Sequence, residues 1–176
     1  MDPSSVLALL QDRPPTLGAG RLLCIDGPSG SGKTTLAAAV SALAPASRVV
    51  HMDELYDGWA GLPGVGTQLS TLLNPLASGE PGTYRRYDWH LGSFTETVTV
   101  ESGPLLVVEG VGSWAPELAG LVTALVWVEA ELDVRKARGL ARDGEAFAPY
   151  WDAWARAEDE HFARCSTREH ADLVSG

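Results

Sequence analysis

The chain has 176 residues, enough for one domain with a substantial core. Its 23 acidic residues against 13 basic ones give a net charge of −10 and a pI near 4.7, which argues against a nucleic-acid backbone as partner. No apolar run is long enough to span a membrane, and Cys24 and Cys165 make neither a disulfide framework nor a metal-binding spacing. A cytoplasmic protein with reduced thiols is expected, with no nucleic-acid or membrane partner.

In chain order, Ser4 to Leu10 offers a cap and then apolar residues at helical spacing, a leading helix ended by Pro14-Pro15. Residues 1–19 therefore read as helix and linker within a single domain over 1–176. Arg21 to Asp26 is a short apolar strand. It runs into Gly27-Pro28-Ser29-Gly30-Ser31-Gly32-Lys33-Thr34, which matches G-x-x-x-x-G-K-[ST] at every fixed position. Thr35 to Leu43 reads as the helix behind it, ended by Pro45. Strand, glycine loop and helix are the context that the P-loop (Walker A) pattern requires. The glycines let the backbone wrap an anion with successive N–H groups pointing inward, and the helix N-terminus adds partial positive charge. In such a loop Lys33 reaches the β- and γ-phosphates and the Thr34 hydroxyl ligates Mg²⁺. Only Lys33 and Lys136 are lysines, so the loop lysine is not one of a general scatter.

Arg48 to Met52 is a second strand ending at Asp53. Asp57 to Gly92 is rich in Gly and Pro, with a helix expected over Thr67 to Ala77. Thr95 to Val100 alternates with period two, as an exposed strand or hairpin arm does. Leu105 to Glu109 and Ala124 to Val128 are apolar runs of the kind found in central parallel strands covered on both faces. Leu132 to Ala141 and Ala148 to Arg164 read as helices, and Ala171 to Val174 as a last short strand. Strands alternating with helices predict an α/β fold with a parallel sheet.

Beyond the loop, Asp53 ends a strand on the sheet edge where open parallel sheets bind ligands. A carboxylate there can accept the proton of a hydroxyl attacking the γ-phosphate. Glu54 and Asp57 compete for that role, and a turn or cap aspartate is the structural alternative. Glu109-Gly110 ends the next strand, where an acid either sits near Mg²⁺ or bonds the P-loop backbone. It is not the D-x-x-G of switch GTPases. Arg135, Arg138 and Arg142, spaced by three and four, share one helical face. They form either a phosphate-neutralising row or a solvated charged face. Asp143-Gly144 opens a loop over about residues 143–150 that can hinge as a lid. Arg85-Arg86-Tyr87-Asp88-Trp89-His90 mixes aromatic and polar groups suited to a flat polar ligand. His51, His161 and His170 read as structural or surface histidines.

With these pieces assembled, the chain resembles the uridine kinase branch of P-loop kinases, which is related to phosphoribulokinase and pantothenate kinase. The likeness runs from about Leu22 to Val174. GPSGSGKTT (Gly27 to Thr35) fits the branch, and MDELY (Met52 to Tyr56) resembles its D-x-F-Y segment. ETVTV (Glu96 to Val100) and VVEG (Val107 to Gly110) are similar to its hairpin and third strand. VEAELDVRKARGLARD (Val128 to Asp143) resembles its lid helix, and HADLV (His170 to Val174) its closing strand. The resemblance implies a three-layer P-loop NTPase sandwich with a five-stranded parallel sheet ordered 2-3-1-4-5. It implies ATP and Mg²⁺ as cofactors, a small-molecule acceptor, Asp53 as base and Arg135, Arg138 and Arg142 as phosphate-facing arginines. Tyr56, Arg86, Tyr87 and His90 would then border the acceptor. Members are commonly homo-oligomers, although no interface is legible here.

The chain departs from the branch in two places. His90 follows Tyr87 by three residues where the family has five, and Glu145-Ala146-Phe147 stands where a further lid arginine is usual. The acceptor therefore stays open between a uridine- or cytidine-like nucleoside and another small alcohol such as pantothenate or a nicotinamide riboside-like compound. A nucleotide-binding ATPase or an inactive member is the reading from a different class.

Overall fold

The computed structural model describes residues 1–144 and 148–175, with the side chains of Arg142 and Asp143 not described. The expected lid loop thus falls partly outside the described residues, at 145–147.

Two apolar runs read in the sequence, Leu105–Glu109 (β5) and Ala124–Val128 (β6), are buried along their whole length. They flank Arg21–Asp26 (β1) in parallel register, Leu23 facing Val107 on one side and Ala124 on the other. Ser47–His51 (β2) pairs with β5, and Leu173–Ser175 (β7) with β6. The sheet order is β2-β5-β1-β6-β7. The expected label 2-3-1-4-5 differs because Gly82–Asp88 (β3) and Ser93–Val100 (β4) precede β5 in the chain. They pair with each other, antiparallel, in a separate two-stranded sheet, and shift the later numbers by two.

Period-two alternation divides the apolar side chains between the sheet's two faces. Leu23, Ile25, Val107 and Val126 pack with Val6 and Leu10 of the helix Pro3–Gln11 (α1) and with Leu36, Ala37 and Val40 of Lys33–Leu43 (α2). Leu22, Cys24, Leu106, Val108 and Leu125 pack on the opposite side. Their partners there are Leu69, Leu72, Leu73 and Leu76 of Val65–Ala77 (α3) and Trp151 and Trp154 of Trp151–Cys165 (α5). Leu132–Asp143 (α4) precedes α5, and the short helix Thr167–His170 (α6) leads into β7. Helices on both faces of a parallel sheet make the expected three layers. Among the described residues no helix is long and apolar enough to cross a membrane.

Three local readings shift. The cap of α1 is Asp2, which accepts from the Ser4 N–H at 3.1 Å, with Pro3 at the first helical position. The helix expected from Ala148 begins at Trp151. The region read as irregular contains β3, whose exposed, charged Arg85 and Arg86 mask any strand alternation.

Candidate active site

The phosphate loop lies between the end of β1 and the start of α2, and its shape depends on glycine. A Cβ on Gly27 (φ +135°) would stand 2.1 Å from the Val128 carbonyl oxygen, and one on Gly30 (φ +77°) 2.3 Å from that of Arg135. Both are closer than any side chain tolerates. Gly32, at the α2 N-cap, is also left-handed (φ +108°). The N–H groups of the first α2 turn have no carbonyl four residues back and so face the loop's concavity. Lys33 is 7% exposed, and its Nζ donates to the Gly27 and Pro28 carbonyls at 2.7 and 3.0 Å. Burial pulls its pKa down, opposed by the carboxylates of Glu158, Glu109, Asp26 and Asp53 around it.

Across the mouth of the loop is a cavity of about 210 Å³ whose walls include Lys33, Thr34, Asp53, Glu109 and Arg138. Pairing of β2 with β5 sets His51 beside Glu109. Glu109, almost wholly buried, accepts from the Thr34 hydroxyl at 3.0 Å, and His51 Nδ1 shares a 2.6 Å hydrogen bond with the same oxygen. That bond holds the His51 pKa above its ordinary value. Mg²⁺ takes hard oxygen donors, commonly one or two from protein with the rest from phosphate and water. The Thr34 hydroxyl and Glu109 carboxylate converge as such a pair, so the residues fit the ion. Asp53 is the exposed residue of the single turn Met52–Glu54 directly after β2, between the buried Met52 and the half-buried Glu54.

The first two arginines of the row reach the phosphate loop. Arg135 donates to the carbonyls of Ala130 at 3.1 Å and Ser29 at 3.4 Å, and Arg138 to that of Gly30 at 3.3 Å. Both lie against the loop, as one helical face requires. The Arg142 side chain is outside what is described.

The expected acceptor residues do not gather. Tyr56 is 1% exposed, and its hydroxyl donates to the Val111 carbonyl at 2.6 Å inside the core. Arg86 is ion-paired with Glu96 across the β3–β4 hairpin. His90 lies exposed in the hairpin turn, its N–H donating to Asp88 Oδ1 at 2.8 Å. Of the four, Tyr87 joins an aromatic group beside Asp53, while Tyr56 meets the Trp154 ring edge-on at 5.0 Å from within the core. The Tyr87 ring meets Trp89 edge-on at 5.2 Å, Trp89 meets Trp59 at 4.7 Å, and Trp59 stacks on Tyr150 at 5.1 Å. Trp89 Nε1 donates to the Asp53 carbonyl at 2.8 Å, so this aromatic group adjoins the candidate base.

Two buried carboxylates escape the sequence reading. Asp26 closes β1 and accepts from the N–H groups of Gly27 (2.7 Å), Gly112 (3.0 Å) and Trp114 (3.1 Å). It thereby ties the start of the loop to the segment after β5. Complete burial raises its pKa to about 7 despite those donors. Glu158 on α5 accepts from the Ser29 N–H at 2.9 Å and from Trp154 Nε1 at 2.6 Å, and burial raises its pKa too. An acid immediately before the glycine loop was a usable signal for Asp26. Nothing local marks Glu158, which is 129 residues from its partner.

No protein-family model matches the chain, and no curated protein matches it. Solved structures do. A possible uridine kinase from Bacillus stearothermophilus aligns over 99% of this chain and 95% of its own, at 23% identity and a TM-score of 0.65. The chain has a P-loop kinase fold. A candidate fructose transport system kinase from Silicibacter sp. TM1040 aligns over the whole of both chains, at 23% identity and a TM-score of 0.61. One is a possible uridine kinase and the other a candidate kinase of a fructose transport system, so the fold, and not an acceptor, is what this chain has in common with both.

Proposed function

We propose that the protein is a small-molecule kinase that transfers the γ-phosphoryl group of ATP to a hydroxyl group. The observation that carries this is Asp53 across one small cavity from Lys33, Thr34 and Glu109, with Arg138 on its wall. Phosphoryl transfer asks little covalent chemistry of the protein; it needs in-line placement and neutralisation of spreading charge. The first-turn N–H groups of α2 receive the phosphates. Lys33 exchanges its bonds to the Gly27 and Pro28 carbonyls for phosphate oxygens, and Arg138, with Arg135, neutralises charge from the α4 side. Thr34 and Glu109 would hold Mg²⁺, which when bound screens the β- and γ-phosphate oxygens. Asp53 orients the acceptor hydroxyl and takes its proton as the new P–O bond forms.

The acceptor side favours a ring-bearing alcohol. Trp59, Trp89 and Tyr87 offer indole and phenol surfaces beside Asp53, and flat or ring ligands gain from such surfaces. A uridine- or cytidine-like nucleoside is the leading acceptor. A nicotinamide riboside-like nucleoside, pantothenate or a hexose such as fructose is the alternative. The test is ATP consumption with Mg²⁺ against a panel of these compounds, with detection of the phosphorylated product. One acceptor raising turnover at least tenfold supports the reading. Turnover that ignores every acceptor replaces it with an ATPase, and nucleotide binding without turnover replaces it with an inactive member.

A further inference from the structure

Every polar atom of Ser29 is held by the two helices that follow β6. Its N–H donates to Glu158 Oε1 at 2.9 Å, its Oγ accepts from Trp154 Nε1 at 3.0 Å, and its carbonyl accepts from Arg135 at 3.4 Å. Glu158 closes the group, bonding Trp154 Nε1 at 2.6 Å and lying 3.8 Å from the Arg135 guanidinium. With its side chain only 2% exposed, Glu158 has no water to fall back on. Ser29 sits at the third position of the phosphate loop, yet its N–H is spent on a protein carboxylate and not on a phosphate oxygen.

We propose that Glu158 is a positioning residue for nucleotide binding, acting through Ser29: its carboxylate anchors the front of the phosphate loop to α5. Gly30 to Thr35, which carry the remaining donors, are then held in a phosphate-ready shape. The proposal rests on the nucleotide reading above. A glycine-rich loop has little rigidity of its own, because glycine loses more conformational freedom on ordering than any other residue. Asp26 fixes the loop at Gly27, and Lys33 fixes it from within. Among the described residues, Ser29 is the one point at which α4 and α5 both grip it. Trp154 extends the anchor, since its ring meets Tyr56 edge-on at 5.0 Å and Trp59 at 6.0 Å, next to the aromatic group beside Asp53.

Glu158 pays a cost as an anion near bound phosphates, and this separates its two properties. Glu158→Gln keeps the reach and the acceptor oxygen but removes the charge. Glu158→Asp keeps the charge but withdraws the oxygen by one methylene. ATP affinity in the presence of Mg²⁺ is measured by titration calorimetry for wild type and both variants, with the Tm of each nucleotide-free protein as a fold control. Positioning predicts that Glu158→Gln binds ATP at least as tightly as wild type and that Glu158→Asp binds about tenfold more weakly. Trp154→Phe, which keeps the ring and loses the N–H, is expected to weaken ATP about threefold and serves as a second arm where Glu158→Asp does not fold. Equal affinity of wild type, Glu158→Asp and Trp154→Phe overturns the proposal, as does Glu158→Gln weakening ATP as much as Glu158→Asp. A folded wild-type protein that binds no ATP defeats the nucleotide reading itself, and the proposal with it.

Discussion

The Trp89 indole N–H donates to the backbone carbonyl of Asp53 at 2.8 Å, fastening the tip of the β3–β4 hairpin to the turn that presents the candidate base. The hairpin stands outside the main sheet, so this bond is a direct route by which it influences the reacting geometry. Trp89→Phe keeps a ring against Trp59 and Tyr87 and removes the donor. A net hydrogen bond is worth about 1 kcal/mol, so kcat/KM for the acceptor should fall roughly fivefold, with ATP affinity unchanged. Steady-state kinetics with acceptor and ATP varied separately measure both.

Removing Mg²⁺ with EDTA should abolish turnover without changing the Tm of the nucleotide-free protein, because no group of three or more His, Cys, Asp or Glu side chains among the described residues could hold a structural metal. Glu109→Gln should raise the Mg²⁺ concentration needed for half-maximal rate by about tenfold. That substitution keeps an oxygen near the Thr34 hydroxyl but weakens a hard-cation ligand. A Mg²⁺ titration of the initial rate distinguishes the outcomes.

Asp26 predicts an unusual pH dependence. Its carboxyl is held at about 7 by burial, against an ordinary aspartate value of about 4. Between those values the folded state keeps a proton that the unfolded chain releases. Its contribution is therefore complete below about pH 4 and declines as pH rises to about 7, by about 1.4 kcal/mol per pH unit. Asp26→Asn cannot titrate and loses one acceptor for the Trp114 N–H, so it starts less stable. The gap in unfolding free energy between wild type and Asp26→Asn should narrow from pH 5 to pH 7. Urea melts at a series of pH values measure it, and parallel curves would contradict the assignment.

Tyr56 was expected beside the acceptor and is found in the core. Tyr56→Phe should cost about 1 to 2 kcal/mol of stability, because it leaves the buried Val111 carbonyl without its partner. KM for the acceptor should stay within about twofold of wild type. A tenfold rise in that KM at normal stability would return Tyr56 to the site.

Residues whose meaning is local were legible in the sequence, and those whose meaning comes from distant partners were not. The phosphate loop, β5 and β6 announce themselves through a spaced motif and unbroken apolar runs, and Thr34 with Glu109 follows from strand order. The acceptor side depends on pairs far apart in the chain: Trp89 with Asp53, Trp59 with Tyr150, Glu158 with Ser29. No periodicity encodes such meetings. Tyr56 misled because an aromatic four residues past a buried methionine can face the core as readily as the cleft, and only packing decides. β3 escaped because a hairpin arm outside the main sheet can carry exposed charged residues at successive positions.

The central claim, that Asp53 takes the proton from the attacking hydroxyl, is tested most directly by Asp53→Asn in single-turnover transfer from γ-labelled ATP to the acceptor found by panel. General-base catalysis contributes about 10² to 10⁴ in rate. The variant should transfer the label about a thousandfold more slowly, with ATP affinity within about threefold of wild type. Transfer at the wild-type rate would contradict the account and move the base to another carboxylate.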